Sequence, residues 1–391
     1  MAEAAMRAEF GGRVARLQEA LRARGLDAAA LTHGVDVFYF CGTRQNGMLW
    51  VPASGTPTLL VRKSLVRARA EAALDDVRPF PASRDLSAAL GEARRVGMAF
   101  DVTPASQLEW YRKQLPGRDF ADVAAPIRDL RSVKSPHELG LMREGARRMV
   151  AAMAEVPSFL EAGMREVDVA AELELRLRRL GNEGSPRMRA ANMELFTGLV
   201  VSGDAAAEPG FFDGPVTGRG LSAARPVGPS TRVVGRDEPV IIDYTATFNG
   251  YTIDMTRVFV CGSLGPELRR GMEAALAIQA AVARRLVPGQ VPEAIWEEAR
   301  GLAEAAGLGR HFMGPPGDQA RFVGHGVGLE LDELPVLAPG FTAPLQAGQV
   351  VAVEPKFVFP GLGAVGVENS WAVGAGGGER LTVLADGAVS L

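Results

Sequence analysis

"VIIDYTATFNGYTIDMTRVF", residues 240–259, reads as two β-rich runs joined by Asn249-Gly250. Asn-Gly between alternating residues is a strong hairpin signal, because a tight two-residue turn needs positive φ at both central positions. That turn pairs Phe248 with Tyr251, Thr245 with Asp254 and Asp243 with Thr256, whereas a three-residue loop would shift the register by one and separate the two acids. Asp243, Thr245, Thr247, Thr252, Asp254 and Thr256 then share one face, and Ile242, Tyr244, Ala246, Phe248, Tyr251, Ile253 and Met255 the other. The anomaly is the pair of acids. Asp is disfavoured in strands, and an unpaired buried carboxylate is costly. As diagonal neighbours roughly 7–8 Å apart, the two would repel unless a cation lay between them. Taken alone, the hairpin also fits a solvated sheet face that happens to carry two acids.

Three further residues tip the balance. "RFVGHGVGLELDELP", 321–335, sets His325 between glycines, where backbone can approach a site closely. "VVAVEPKFVFPGLGAVGVENSWAV", 350–373, embeds Glu354 and Glu368 in apolar strand-like runs. Its Pro-Gly-rich centre at 360–363 lets the two runs fold back on each other. Four carboxylates and one imidazole form an oxygen-rich donor set suited to divalent ions of the Mn, Fe, Co or Zn kind. Two such ions about 3.5 Å apart can activate a water.

The 391 residues exceed one ordinary core and predict two or three domains. Residues 13–25 place Val14, Leu17 and Leu21 on one helical face and stop at Gly25. "LDAAALT", "VFYFCG", "MLWVPA" and "TPTLLVR" follow as short apolar runs with turn residues between them. Helical stretches near 64–74, 85–95 and 105–115 complete an α/β layer domain, 1–129. From residue 130 the pattern changes to α+β. Ser135, Pro136 and Glu138 make a capping box that opens a helix to about 158, and further helices are predicted at about 165–181, 265–287 and 292–307. Residues 203–236 are rich in Gly and Pro and lack periodicity, as functional loops often do. Met142, Met149 and Met153 at helical spacing are assigned to the core.

Composition excludes several classes. A formal net charge of −3 gives no basic field for a nucleic-acid backbone. No apolar run reaches the ~18 residues of a membrane span, and the N-terminus lacks the apolar core of a signal peptide. Cys41 and Cys261 suggest no disulfide framework. A reducing cytoplasm is the expected location. The 39 Arg against 4 Lys read as compositional bias.

The order Asp243, Asp254, His325, Glu354, Glu368 resembles that of the "pita-bread" metallopeptidases: methionine aminopeptidase, aminopeptidase P, prolidase and the metal-free creatinase. The similar pieces are "IIDYTATFNGYTIDMTR", "GHGVGLELDELP", "AVEPKF" and "GAVGVENS". "LRSVKSPHELGLM" is similar to the entry of the catalytic domain, and the preceding α/β part to the N-terminal domain of the aminopeptidase P, prolidase and creatinase branch. The resemblance implies a creatinase-like N-terminal domain at 1–129 and a pita-bread catalytic domain at 130–391. It implies two divalent ions, Mn first, with Asp243 on one, Asp254 and Glu368 bridging, and His325 and Glu354 binding one each. A bridging hydroxide would attack a scissile carbonyl, with Glu354 as proton shuttle. The implied activity is Xaa-Pro aminopeptidase or dipeptidase chemistry on small peptides or amino-acid derivatives. A homodimer is implied as well.

The departures concern substrate recognition. Proline-specific relatives carry non-ligand histidines where this chain, compared without gaps, has Gly210, Arg321 and Asp332. Asp332 and Arg321 are therefore the candidates to meet substrate, Asp332 a cationic group and Arg321 an anionic one, with Arg187 and Arg189 as further anion candidates. The substitutions leave open a non-peptide hydrolase or lyase on the same metal site, and a non-catalytic binding protein as a third reading. "ELF", "FFDGP", "GHGVGLELDELPV" and "EPKFVFPG" are similar to an uncharacterised aminopeptidase-P-like subgroup.

Overall fold

The computed structural model describes residues 2–189 and 197–391, so the "ELF" motif at 194–196 lies outside the described residues. The chain forms two compact units, 1–131 with 189–192, and 132–188 with 193–391.

In the first unit six strands make one mixed sheet. Ala28–Leu31 lies near its middle, antiparallel to Gly47–Pro52 on one side and parallel to Arg95–Met98 on the other. Three of the four short apolar runs are strands of this sheet. The run "VFYFCG" lies instead in the helix Gly34–Cys41, closed by Gly42 at φ 81°. A short apolar run fits either state by pattern alone, and here the left-handed C-cap glycine ends a helix. The first helix buries Val14, Leu17 and Leu21 as expected but starts at Ala2. Around 85–95 only Leu86–Ala89 is α-helical, and the strand Arg95–Met98 begins where helix had been expected to end.

Inside this unit Asp36 is 1% exposed and receives Arg131 at 2.8 Å and Arg189 at 3.0 Å. Arg189 also pairs with Asp101 at 2.6 Å. The anion-binding role considered for Arg189 is thereby set aside, since its charge is already matched by two carboxylates.

The second unit opens as the capping box requires. The Ser135 side chain accepts from the Glu138 N–H, and Glu138 accepts from the Ser135 N–H, starting the helix Pro136–Ala154. Met142, Met149 and Met153 point into the core and are fully buried. The hairpin Val240–Phe248 with Tyr251–Val260 has the expected register, Asp243 opposite Thr256, Thr245 opposite Asp254 and Phe248 opposite Tyr251. Asn249 at φ 51° and Gly250 at φ 82° supply the two left-handed turn positions. Gly198–Ser202 and Val389–Ser390 flank this hairpin in a four-stranded sheet. A second sheet runs Leu331–Val336, Gly324–Val327, Val350–Val353, Asn369–Gly374, Gly377–Arg380. A two-stranded ribbon pairs Lys356–Phe359 with Gly363–Gly366, closing the fold-back foreseen at 360–363. A bridge between Thr256 and Glu368 ties the first sheet to the segment leaving the ribbon. Helices Pro266–Arg285 and Pro292–Ala305 complete the core through Met272, Ile278, Ile295 and Trp296, which pack with Val258, Phe357 and Val365. Of residues 203–236, expected to lack regular structure, Gly203–Ala207 forms a short 3-10 helix, and 208–236 carry no helix or strand longer than an isolated bridge.

Candidate metal centre

Five strands or strand ends deliver the site. Asp243 comes from the first hairpin strand and Asp254 from the second. His325 comes from Gly324–Val327, Glu354 from the end of Val350–Val353, and Glu368 from the link between ribbon and second sheet. The pleat sends Asp243 and Asp254 to the polar face of the hairpin, and the Thr256–Glu368 bridge lays the second sheet's acids over that face. Asp254, His325, Glu354 and Glu368 are all buried, and Asp243 is half-buried.

His325 Nε2 lies 3.7 Å from Asp254 Oδ2, 3.4 Å from Glu354 Oε1 and 3.9 Å from Glu368 Oε1. Two overlapping sets of three ligand atoms lie within 4.8 Å of one another, Asp254 with His325 and Glu368, and Asp243 with Glu354 and Glu368. Glu368 belongs to both. Its Oε2 accepts from Thr256 Oγ1 at 2.7 Å, and its buried Oε1 has no hydrogen-bond partner. A buried carboxylate oxygen left unpaired is costly. Its grouping with Asp254 and His325 fits a divalent cation.

A sixth residue stands in the centre. Lys356 Nζ donates to Asp243 Oδ2 at 2.8 Å, Glu354 Oε2 at 2.7 Å and Glu368 Oε2 at 3.2 Å. The sequence reading passed over it, although it stands two residues after Glu354 in a chain with 4 Lys. In so Arg-rich a sequence, a lysine beside a candidate ligand was the available signal.

The electrostatics follow this layout. Burial, then Glu368 and Asp243, push the Asp254 carboxyl well above its usual range. Burial also raises Glu368, to about 8, with Glu354 and Asp243 adding to it and Lys356 opposing. Glu354 goes the other way. Its burial is outweighed by Lys356 and His325, and it falls to about 2. Glu354, which touches both the ammonium and the imidazole, is thus held low, while Asp254 and Glu368 are held high.

Asp332 lies close to the cluster, but behind the imidazole. Its Oδ1 is 3.1 Å from His325 Nδ1, on the ring edge away from Asp254 and Glu354. A carboxylate there holds the proton on Nδ1 and leaves Nε2 free to act as a ligand. Its backbone is left-handed at φ 59°, in a strand irregularity opposite Gly326 and Val327. Arg321 is exposed and makes no hydrogen bond or ion pair with the cluster among the described residues. The expected anion-binding role has no geometric support there. At Gly210 a Cβ would meet Thr217 Oγ1 at 2.5 Å, so Thr217 would have to shift to admit any side chain. The same loop lines a cavity of about 230 Å³ with Glu208, Phe211, Asp213 and Thr217.

Arg257 was also missed. It is fully buried, donates to the carbonyls of Thr256 at 2.7 Å and Glu368 at 2.9 Å, and reaches Asn369 Oδ1 at 2.9 Å. It ties the strand that carries Asp254 to the segment that carries Glu368. An Arg in an apolar run offers no way to tell such a clamp from an edge residue.

Comparison with known proteins agrees with this architecture. A model of metallopeptidase family M24 matches residues 140–375, and one of the Creatinase/Prolidase N-terminal domain matches residues 13–133. The chain is 25% identical over 372 residues to an Xaa-Pro dipeptidase of Pyrococcus furiosus, covering 95% of this chain and 97% of that protein. Among solved structures, an Xaa-Pro dipeptidase from Bacillus anthracis superposes with a TM-score of 0.85 at 23% identity, covering 98% of this chain and 100% of that one. The prolidase of Pyrococcus horikoshii OT3 superposes with a TM-score of 0.81 at 24% identity, covering 96% and 99%. With the matched model spanning more than half of the sequence, this chain belongs to metallopeptidase family M24 and carries the family's Creatinase/Prolidase N-terminal domain.

Proposed function

We propose that the protein is a metal-dependent hydrolase that cleaves a C–N bond in small peptides or amino-acid derivatives, in the manner of an Xaa-Pro dipeptidase or aminopeptidase. The observation that carries this reading is the buried Glu368 Oε1, which makes no hydrogen bond, grouped with Asp254 and His325 in a metallopeptidase fold. Asp254, His325 and Glu368 would hold a divalent ion, with Mn first and Co, Fe or Zn as alternatives, as the mixed oxygen and nitrogen donors favour. Such an ion supplies Lewis acidity that polarises a scissile carbonyl and acidifies water at neutral pH.

The chain's own groups would do the remaining work. Glu354 Oε2 is held by Lys356, which leaves Oε1 to take a proton from water and pass it to the leaving nitrogen. Asp332 would orient His325 through Nδ1. A homodimer accompanies this reading from the family resemblance, and sedimentation velocity tests it; a cytoplasmic location accompanies it from the cysteine pattern and the apolar-run content of the sequence. No described helix is long and apolar enough to cross a membrane.

A second reading is favoured by the crowding at Gly210 and by the acids of the same loop. Glu208 and Asp213 line the cavity beside Gly210. That supports a substrate with a cationic group and no proline ring, cleaved by hydrolysis or elimination on the same centre. A panel of Xaa-Pro dipeptides beside N-acylated and amidine-bearing basic amino acids, assayed with Mn²⁺, decides between them. Turnover confined to the Xaa-Pro set supports the first reading, and turnover confined to the basic set supports the second.

A further inference from the structure

Asp243, Glu354 and Glu368 present three carboxylates to a common point, and the cation already there is covalently part of the chain. A lysine ammonium has three donors and no acceptor. Those of Lys356 are matched one to each acid, at 2.8, 2.7 and 3.2 Å. Its stem is built for as well. Lys356 pairs across the ribbon with Gly366, where a Cβ would lie 2.5 Å from Lys356 Cγ. Any side chain at 366 would close the lane along which the lysine reaches the acids. A divalent ion on the same three oxygens would sit about 2.0–2.2 Å from each, in space the ammonium fills.

The other half of the cluster differs. Asp254 and His325 receive nothing from Lys356, and Glu368 turns Oε2 to the ammonium and Oε1, without a hydrogen bond, to them.

Resting on the metal reading above, we propose that Lys356 permanently occupies one of the two cation positions of this centre. The protein then binds a single divalent ion per chain, on Asp254, His325 and Glu368. This replaces the expectation of two ions drawn from the family resemblance.

The test counts ions on the full chain. Protein stripped with chelator is titrated with Mn²⁺, desalted and assayed for metal by mass spectrometry, with the electron paramagnetic resonance spectrum recorded in parallel. Wild type should saturate at one Mn²⁺ per chain with an isolated-ion six-line spectrum. Lys356→Ala should take two and show an exchange-coupled spectrum. Two coupled ions in wild type, or one in both proteins, would overturn the proposal. No ion in either protein would instead overturn the metal reading, and the inference with it. Should Lys356→Ala fail to fold, Lys356→Met replaces it, and the wild-type count still decides, one supporting and two overturning.

Discussion

The two halves of the carboxylate cluster solve one electrostatic problem in two ways. On the Asp243 and Glu354 side, like charges converge and the chain supplies its own cation, so Glu354 is held ionised down to about pH 2. On the Asp254 and His325 side, Asp254 and Glu368 are driven upward by burial and by one another, and one Glu368 oxygen stays unpaired. The first half is complete as a folded structure. The second is complete only with something bound. Seen from the backbone the halves are alike, each an acid on a strand facing another acid, and what separates them is a lysine side chain opposite a glycine.

The comparison breaks most readily at the lysine. In metal-free protein, Lys356→Met leaves three carboxylates with no counter-charge, and losing one partner of a buried pair costs about 3–5 kcal/mol. Urea unfolding in chelator should show that loss, and a smaller one with Mn²⁺ present, since an ion can enter the vacated position. If the loss were equal with and without Mn²⁺, the lysine would not stand where an ion can. Asp254→Ala acts on the other half. Outer partners of metal ligands are worth about 10–100-fold in affinity, so deleting a direct ligand should exceed 100-fold, measured by competition with a chromophoric chelator. Unchanged affinity would remove Asp254 from the ligand set.

Asp332→Asn should weaken Mn²⁺ binding by about 10–100-fold while leaving the number of ions unchanged, because it touches only the far edge of the imidazole. The acid and alkaline limbs of stability should also separate the halves. Glu368 has a folded pKa raised to about 8 from 4.5, so the folded metal-free protein binds a proton that the unfolded chain releases. Stability then falls as pH rises from about 5 to 8, and Asp254, raised for the same reason, adds to the fall. Thermal melts in chelator should show that decline, and saturating metal should flatten it. The smallest effect is expected for Thr256→Val, which removes one hydrogen bond to Glu368 Oε2 while Lys356 keeps another, on the order of 1 kcal/mol.

Much of this was legible in the sequence wherever local chemistry has one solution. Asn249-Gly250 admits one tight turn, and the two-residue period of a strand then assigns every side chain to a face, which is why the Asp243 and Asp254 register could be written down unaided. The Ser135 capping box was equally determinate. The helix Gly34–Cys41 was not, because eight residues of mixed apolar character carry no decisive period. The site's chemistry was readable as residue types but not as directions. Asp332 was expected to face a substrate, yet it backs His325, and Arg321 was expected nearby, yet it points to solvent. Lys356 was the costliest omission. A lysine is ordinarily solvated, and only the absent side chain at Gly366, ten residues on and across a turn, lets this one turn inward.

The measurement closest to the central claim is an anomalous-difference map from crystals of the wild-type protein grown with Mn²⁺. The account requires one anomalous peak, ligated by Asp254, His325 and Glu368, with Lys356 Nζ still between Asp243, Glu354 and Glu368. Two peaks, with the lysine swung away from the carboxylates, would contradict it.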